Sequence, residues 1–245
     1  MPGTFSSAFS FSWKIELREL SLFIDESGSD GLKDRYYLLT LVLHEQDVRI
    51  EESIHLYERS LAQKQLPDIP FHASPLLNGH GGYEGMSLAE RKRLLSAFRV
   101  FFRHTPVSYE CLSLKVREHP DIPSVTTAMR RQIVEPLFDE LPYFQEFDAV
   151  KIYYDNGQQS LAEAIHEAME YAFAKGVVVY RETVPANYRL SQVADYICTM
   201  ELTALKYADK CVTATDNKFF GSWSQFKKGI LKEVRAKRIS MLNHC

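Results

Sequence analysis

The chain has 245 residues, 45% hydrophobic and 25% charged, with a formal net charge of −3. It is long enough to bury a substantial core, has the make-up of an ordinary soluble globular protein, and taken whole is no obvious polyanion binder. The charge is uneven, however: residues 216–245 carry seven Lys/Arg against Asp216 and Glu233, a net +5 that leaves −8 on residues 1–215. A basic end on an acidic body hints at nucleic-acid contact.

Cys111, Cys198, Cys211 and Cys245 show neither paired spacing nor a nearby histidine pair. Zinc and disulfide frameworks are therefore unsupported, as expected of a reducing cytosol. The opening "MPGTFSSAFSFSWKIELREL" lacks a basic segment followed by a long apolar run, so it does not read as a signal peptide. No apolar run approaches membrane-spanning length. A cytoplasmic protein with no membrane partner is the expectation.

In chain order, "LSLFIDES" (20–27) is an apolar, β-rich run that stops at Ser-Gly-Ser-Asp-Gly and predicts a strand. "RYYLLTLVLHE" (35–45) predicts a second, joined to the first as an antiparallel hairpin. Helices are predicted over 47–65 and 87–104, the second with Leu88, Leu94, Leu95, Phe98, Phe101 and Phe102 at helical spacing. Between them, "LPDIPFHASPLLNGHGGYEGMS" holds three prolines and four glycines and predicts a long irregular loop, with "NGHGGYEG" (78–85) as a mobile flap. It has no P-loop Lys-Ser/Thr.

A third strand is predicted at 107–117, a helix at 124–140 and a short strand, "AVKIYYD", at 149–155. "SLAEAIHEAMEYAFAK" (160–175) is the clearest helix, opened by a Ser160–Glu163 capping box. A fifth strand at 177–184 and a helix at 190–208 follow. Three early strands and then βα alternation imply a mixed sheet with helices on both faces, in one domain spanning 1–245.

The carboxylates carry the chemistry. Asp25 and Glu26 close the first strand, and Asp155 closes the fourth just before a helix, where α/β sheets place ligands. The Asn-Gly after Asp155 also fits a plain turn. Asp195 sits in "LSQVADYICTMELTAL", a helix apolar on almost every side and hence buried. A buried acid needs a cation, an arginine or a backbone donor. Clustered acids repel one another unless a divalent ion neutralises them, and Mg²⁺ or Mn²⁺ favours such oxygen ligands.

Together "FIDESGS", "IYYDNG", "SQVADYI" and the earlier "FHAS" resemble, in order and spacing, the domain of unknown function 3800 (DUF3800) family, over roughly residues 20–210. The resemblance implies a ribonuclease H-like mixed five-stranded sheet flanked by helices, with a helical insertion (47–104) after the second strand. It implies a Mg²⁺- or Mn²⁺-dependent nuclease whose metal ligands are Asp25, Asp155 and Asp195, with Glu26 and His72 as catalytic accessories; the alternative is a non-catalytic nucleic-acid- or protein-binding module on the same fold. The chain departs from ribonuclease H proper, which carries a Glu on the helix after its third strand; here Glu135 precedes Pro136. His72 fits proton transfer or a phosphate contact, and equally a loop histidine satisfying backbone groups. The basic tail (216–245) is predicted as an amphipathic C-terminal helix packed on the domain, with Phe226, Ile230 and Val234 on one side and Lys227, Lys228, Lys232 and Arg235 as candidate nucleic-acid contacts.

Overall fold

The first strand forms because Leu20, Leu22 and Ile24 alternate with Ser21 and Phe23, and all five are buried. A strand sealed on both sides belongs inside a sheet covered twice. In the computed structural model, which describes residues 17–28, 34–154, 167, 177–182 and 188–239, this strand is β1 (Glu19–Ser27). It pairs antiparallel with β2 (Tyr36–Glu45) and parallel with β4 (Ala149–Tyr154). β3 (Ser108–Lys115) lies antiparallel outside β2, and β5 (Val177–Glu182) parallel outside β4, so the order is β3-β2-β1-β4-β5. This is the expected α/β architecture, a mixed sheet flanked by helices.

Each face has its own core. Leu20, Leu22 and Ile24, with Leu39, Leu41, Val150 and Ile152, pack on Val125, Met129, Ile133 and Leu137 of α4 (Ile122–Asp139) and on Phe144 of α5 (Leu141–Phe144). On the other face Phe23, Leu38, Val42 and Tyr153 meet α1 (Glu51–Gln63), α3 (Leu88–His104) and α6 (Arg189–Ala208). α6 crosses this face over β1 and β2. Directly after β1, Gly28 has φ 121°, and a Cβ there would lie 2.9 Å from the Tyr36 carbonyl oxygen, so the position requires glycine.

Two expectations are corrected. The glycine-rich stretch predicted as a loose flap contains α2 (Ala73–Asn78) and a 3₁₀ turn (Gly81–Tyr83), and buries Leu76, Leu77 and Tyr83. Elements of one or two turns are too short to show a period. The basic tail is no continuous helix either. It comprises α7 (Ala214–Phe220), α8 (Trp223–Phe226), a π-helical turn (Lys227–Leu231) and α9 (Lys232–Arg235), with Gly221 breaking the path. Its apolar side is docked as anticipated, with Phe226, Ile230 and Val234 in the core. The predicted helix at 160–175 lies, apart from Glu167, outside the described residues. Among those described, no helix is long and apolar enough to cross a membrane.

The tail closes the β3 edge. The Tyr109 N–H donates to the Lys237 carbonyl at 3.1 Å, and the Ile239 N–H donates to the Tyr109 carbonyl at 2.9 Å. The Arg238 guanidinium donates twice to Glu110 Oε1, at 3.0 and 2.7 Å, and once to the Cys111 carbonyl. Glu110 is only 1% exposed, so this pairing neutralises a buried charge. We therefore expect Arg238→Ala to cost about 2–3 kcal/mol in urea unfolding, less than a fully enclosed pair because Arg238 itself meets water. Lys228→Ala should stay within about 0.5 kcal/mol of the parent; equal stabilities for the two variants would discount the clamp.

Candidate functional site

Strand alternation sorts the two acids at the end of β1. Asp25 follows Phe23 at a spacing of two and faces α6, whereas Glu26 follows Ile24 and faces the α4 side. Accordingly Glu26 accepts hydrogen bonds from the Tyr37 hydroxyl at 2.5 Å and the Tyr154 hydroxyl at 2.9 Å. Its grouping with the catalytic acids is corrected by this geometry. Asp25 instead meets Asp195, carried by α6, and the two carboxylates interact electrostatically.

The "FHAS" stretch is strapped to this helix. Gln192 and Asp195 sit three residues apart on α6, so they project together. Gln192 Oε1 accepts the Phe71 N–H at 3.1 Å, and Asp195 Oδ2 accepts the Ala73 N–H at 2.6 Å. The intervening His72 N–H points the other way and donates to the Tyr83 hydroxyl at 2.9 Å, which in turn donates to the Pro70 carbonyl at 3.2 Å. The ring of His72 is thereby left on the surface, 62% exposed, with Nε2 3.5 Å from Asp195 Oδ1. The backbone of His72 is thus engaged locally, and its imidazole lies beside Asp195.

Asp195 is 9% exposed, as the all-round apolar helix predicts. Its buried charge is met by the Ala73 N–H and the His72 ring; among the described residues no Lys or Arg is ion-paired to either Asp195 or Asp25. Burial, and then the charge of Asp195, push the Asp25 carboxyl up to about 8, against weaker opposing effects from Cys198 and His72. Burial pushes Asp195 up to about 7, opposed by the Ala73 N–H. Cys198, one turn along α6 from Asp195, is buried and lies near enough to Asp25 to act on its carboxyl; its thiol is held well above its ordinary range by burial and by Asp25. Cys198, Gln192 and Tyr83 escaped the sequence reading. Gln192 and Cys198 could have been found from their spacing of three residues either side of Asp195, whereas nothing local marks Tyr83.

The remaining predicted residues separate. Asp155 lies outside the described residues; the strand that leads to it ends at Tyr154, whose register partner is Ile24, the residue before Asp25. Among the described residues no three of His, Cys, Asp and Glu converge closely enough to hold a metal on their own. Glu135 is on the outer surface of α4, paired with Arg131 at 2.6 Å. Lys227, Lys228 and Lys232 are exposed. Arg235 is not available in the way they are: its Nε and Nη2 hold Glu201 at 3.1 and 2.7 Å, and Glu201, 4% exposed, also accepts from the Tyr109 hydroxyl. Its assignment to nucleic acid is corrected, because a buried carboxylate needs that guanidinium.

No protein-family model matches the chain, and no curated protein matches its sequence, so the resemblance to the DUF3800 family rests on the short motifs alone. Among solved structures, the PCNA:RNase HII complex from Archaeoglobus fulgidus is similar at 12% identity and a TM-score of 0.38, over 92% of this chain and 95% of that one. Ribonuclease H2 from Pyrococcus horikoshii OT3 is similar at 11% identity and a TM-score of 0.36, over 88% and 99%.

The acid pair makes a pH prediction. Carboxyls at about 8 and 7 keep their protons when folded but release them near 4 when unfolded. Between those limits the folded state binds more protons, so its stability is full below about pH 4 and falls as pH rises through 7 to 8. Metal-free protein should therefore lose melting temperature from pH 5 to 9, and Asp25→Asn should flatten this decline and melt higher than the parent at pH 8. Parallel wild-type and variant curves would show that the pair is not strained.

Proposed function

We propose that this chain is a divalent-metal-dependent phosphodiesterase of ribonuclease H-like type that acts on nucleic acid, centred on Asp25 and Asp195. One observation carries the reading: acids from β1 and α6, distant in sequence, are brought together with no lysine or arginine ion-paired to either among the described residues. Such a pair is costly unless a cation shares it. The donors fit Mg²⁺ or Mn²⁺. They are hard carboxylate oxygens, and the one nearby sulfur, Cys198, is buried and resists ionisation. Asp25 and Asp195 would hold the ion, and we assign Asp155 as the third ligand from its place directly after Tyr154. Bound there, a divalent ion would supply Lewis-acid stabilisation of a phosphodiester and lower the pKa of a water.

The chain's own groups do the positioning. The Ala73 N–H fixes one oxygen of Asp195, and the Cys198 thiol engages Asp25, so both acids are oriented before substrate arrives. His72, open to solvent beside Asp195, is placed to donate to a phosphate oxygen or to pass a proton to the leaving oxygen. Lys227, Lys228 and Lys232 remain proposed contacts for the polyanion away from the centre.

A second reading, a nucleic-acid- or protein-binding module without chemistry, draws support from the want of a three-ligand cluster among the described residues. Cleavage of a labelled oligonucleotide in Mn²⁺ separates the two. The expected result is Mn²⁺-dependent cleavage that drops at least about a hundredfold in Asp25→Asn, with a Mn²⁺-induced rise in melting temperature seen only in the parent. Undiminished cleavage by the variant would remove the proposal, and an absence of Mn²⁺ heat in calorimetry would favour the binding module.

A further inference from the structure

Two open cavities border the helix that carries Asp195. One, of about 370 Å³, lies over Phe23, Tyr153 and Tyr188, but two of these three rings are already stacked on each other at 4.4 Å and closed off. The other, about 330 Å³, is lined by Ser27, Gly28, Arg35, Leu202, Lys206 and their neighbours, and it lies further along the two elements that carry the acid pair. Both periodicities lead into it. Ser27 lies two residues beyond Asp25, on the same face of β1 and about 7 Å along the strand. On α6, Asp195, Thr199, Leu202 and Lys206 follow one another at intervals of four, three and four, which keeps them on one stripe. Thr199, Leu202 and Lys206 are partly open, while Val193, Ile197, Met200 and Ala204 on the opposite side are sealed in the core. Strand and helix stripe therefore lead from the two carboxylates toward the cleft that Arg35 and Lys206 line.

We infer that this cleft seats a backbone phosphate of a nucleic-acid strand, neighbouring the phosphodiester held at Asp25 and Asp195, with Arg35 and Lys206 as its ligands; the inference rests on the phosphodiesterase reading of the acid pair. Arg35 is exposed, its guanidinium lies beside the Cys211 thiol and the Tyr36 hydroxyl, and among the described residues it is ion-paired to no carboxylate. A guanidinium so placed keeps its fork of donors for an incoming phosphate. Lys206 has one ion-pair contact, at 3.7 Å to Asp216, whose Oδ2 is already held by the Thr213 N–H at 2.8 Å. The other nearby acid of this rim, Asp209, is occupied by the Tyr36 hydroxyl at 2.7 Å and by Lys115 at 3.2 Å. Among the described residues Asp34 is the single acidic side chain lining the cleft, and it opposes the two cations.

The test uses the full chain carrying Asp25→Asn, so that cleavage does not intrude, and reads fluorescence anisotropy of a short labelled single-stranded oligonucleotide in EDTA. Adding Arg35→Ala and Lys206→Ala should weaken binding about tenfold and reduce the slope of log affinity against log salt by between one and two. Arg35→Lys with Lys206→Arg should restore most of the salt slope. Asp34→Asn should tighten binding, a gain that no loss of folding produces, and it remains decisive if the double alanine variant melts early. Unchanged affinity and salt slope in the alanine variant, or Asp34→Asn without effect, overturns the inference, as does a parent that binds no oligonucleotide. Intact Mn²⁺-dependent cleavage beside an unresponsive cleft would sink this inference alone; a responsive cleft in a chain that never cleaves would sink the phosphodiesterase reading alone.

Discussion

The two-residue alternation of β1 is the constraint on which the rest of the structure turns. The strand lies between β2 and β4 with helices on both faces, so each of its side chains is committed to one layer or the other. Leu20, Leu22 and Ile24 belong to the α4 layer; Ser21, Phe23 and Asp25 belong to the α6 layer. A slip of one residue would exchange Asp25 for Glu26 opposite α6 and turn the apolar residues to the wrong core. The eight-residue register with β2 and the six-residue register with β4 hold that choice in place.

Placing an acid on this face has a cost that the surroundings answer only in part. Asp195 receives a backbone N–H and a histidine ring, and Asp25 a thiol, all weak compensation for two enclosed carboxylates. Elsewhere the same fold treats its buried acids differently. Glu110 and Glu201 are deeper than Asp25, yet each has an arginine from the tail aimed at it with two donors. The contrast is informative. Those two acids have arginine partners, whereas among the described residues neither Asp25 nor Asp195 is ion-paired to a Lys or Arg.

The strap between the "FHAS" stretch and α6 links packing to the site. Phe71 stacks on Phe98 at 3.8 Å, which anchors the segment in the core. With that ring fixed, the alternate N–H groups of residues 71–73 point to Gln192, Tyr83 and Asp195 in turn. The orientation of Asp195 thus depends on helices inserted between β2 and β3, far from it in sequence.

Much of this was legible in the residues themselves. The apolar, β-rich runs of β1 and β2, period 3.6 in α3, and the all-round apolarity of α6 that buries Asp195 are local properties, because one strand or helix of good length shows its whole pattern to a short window. What no window contains is who faces whom across the sheet. The approach of Asp25 to Asp195 and the capture of Arg235 by Glu201 and of Arg238 by Glu110 arise from contacts between residues 34 to 170 apart in the chain. Those are decided by how α6 crosses β1 and β2 and by where the tail closes the edge of β3, and only the folded chain settles such packing because every layer must fill the same space at once.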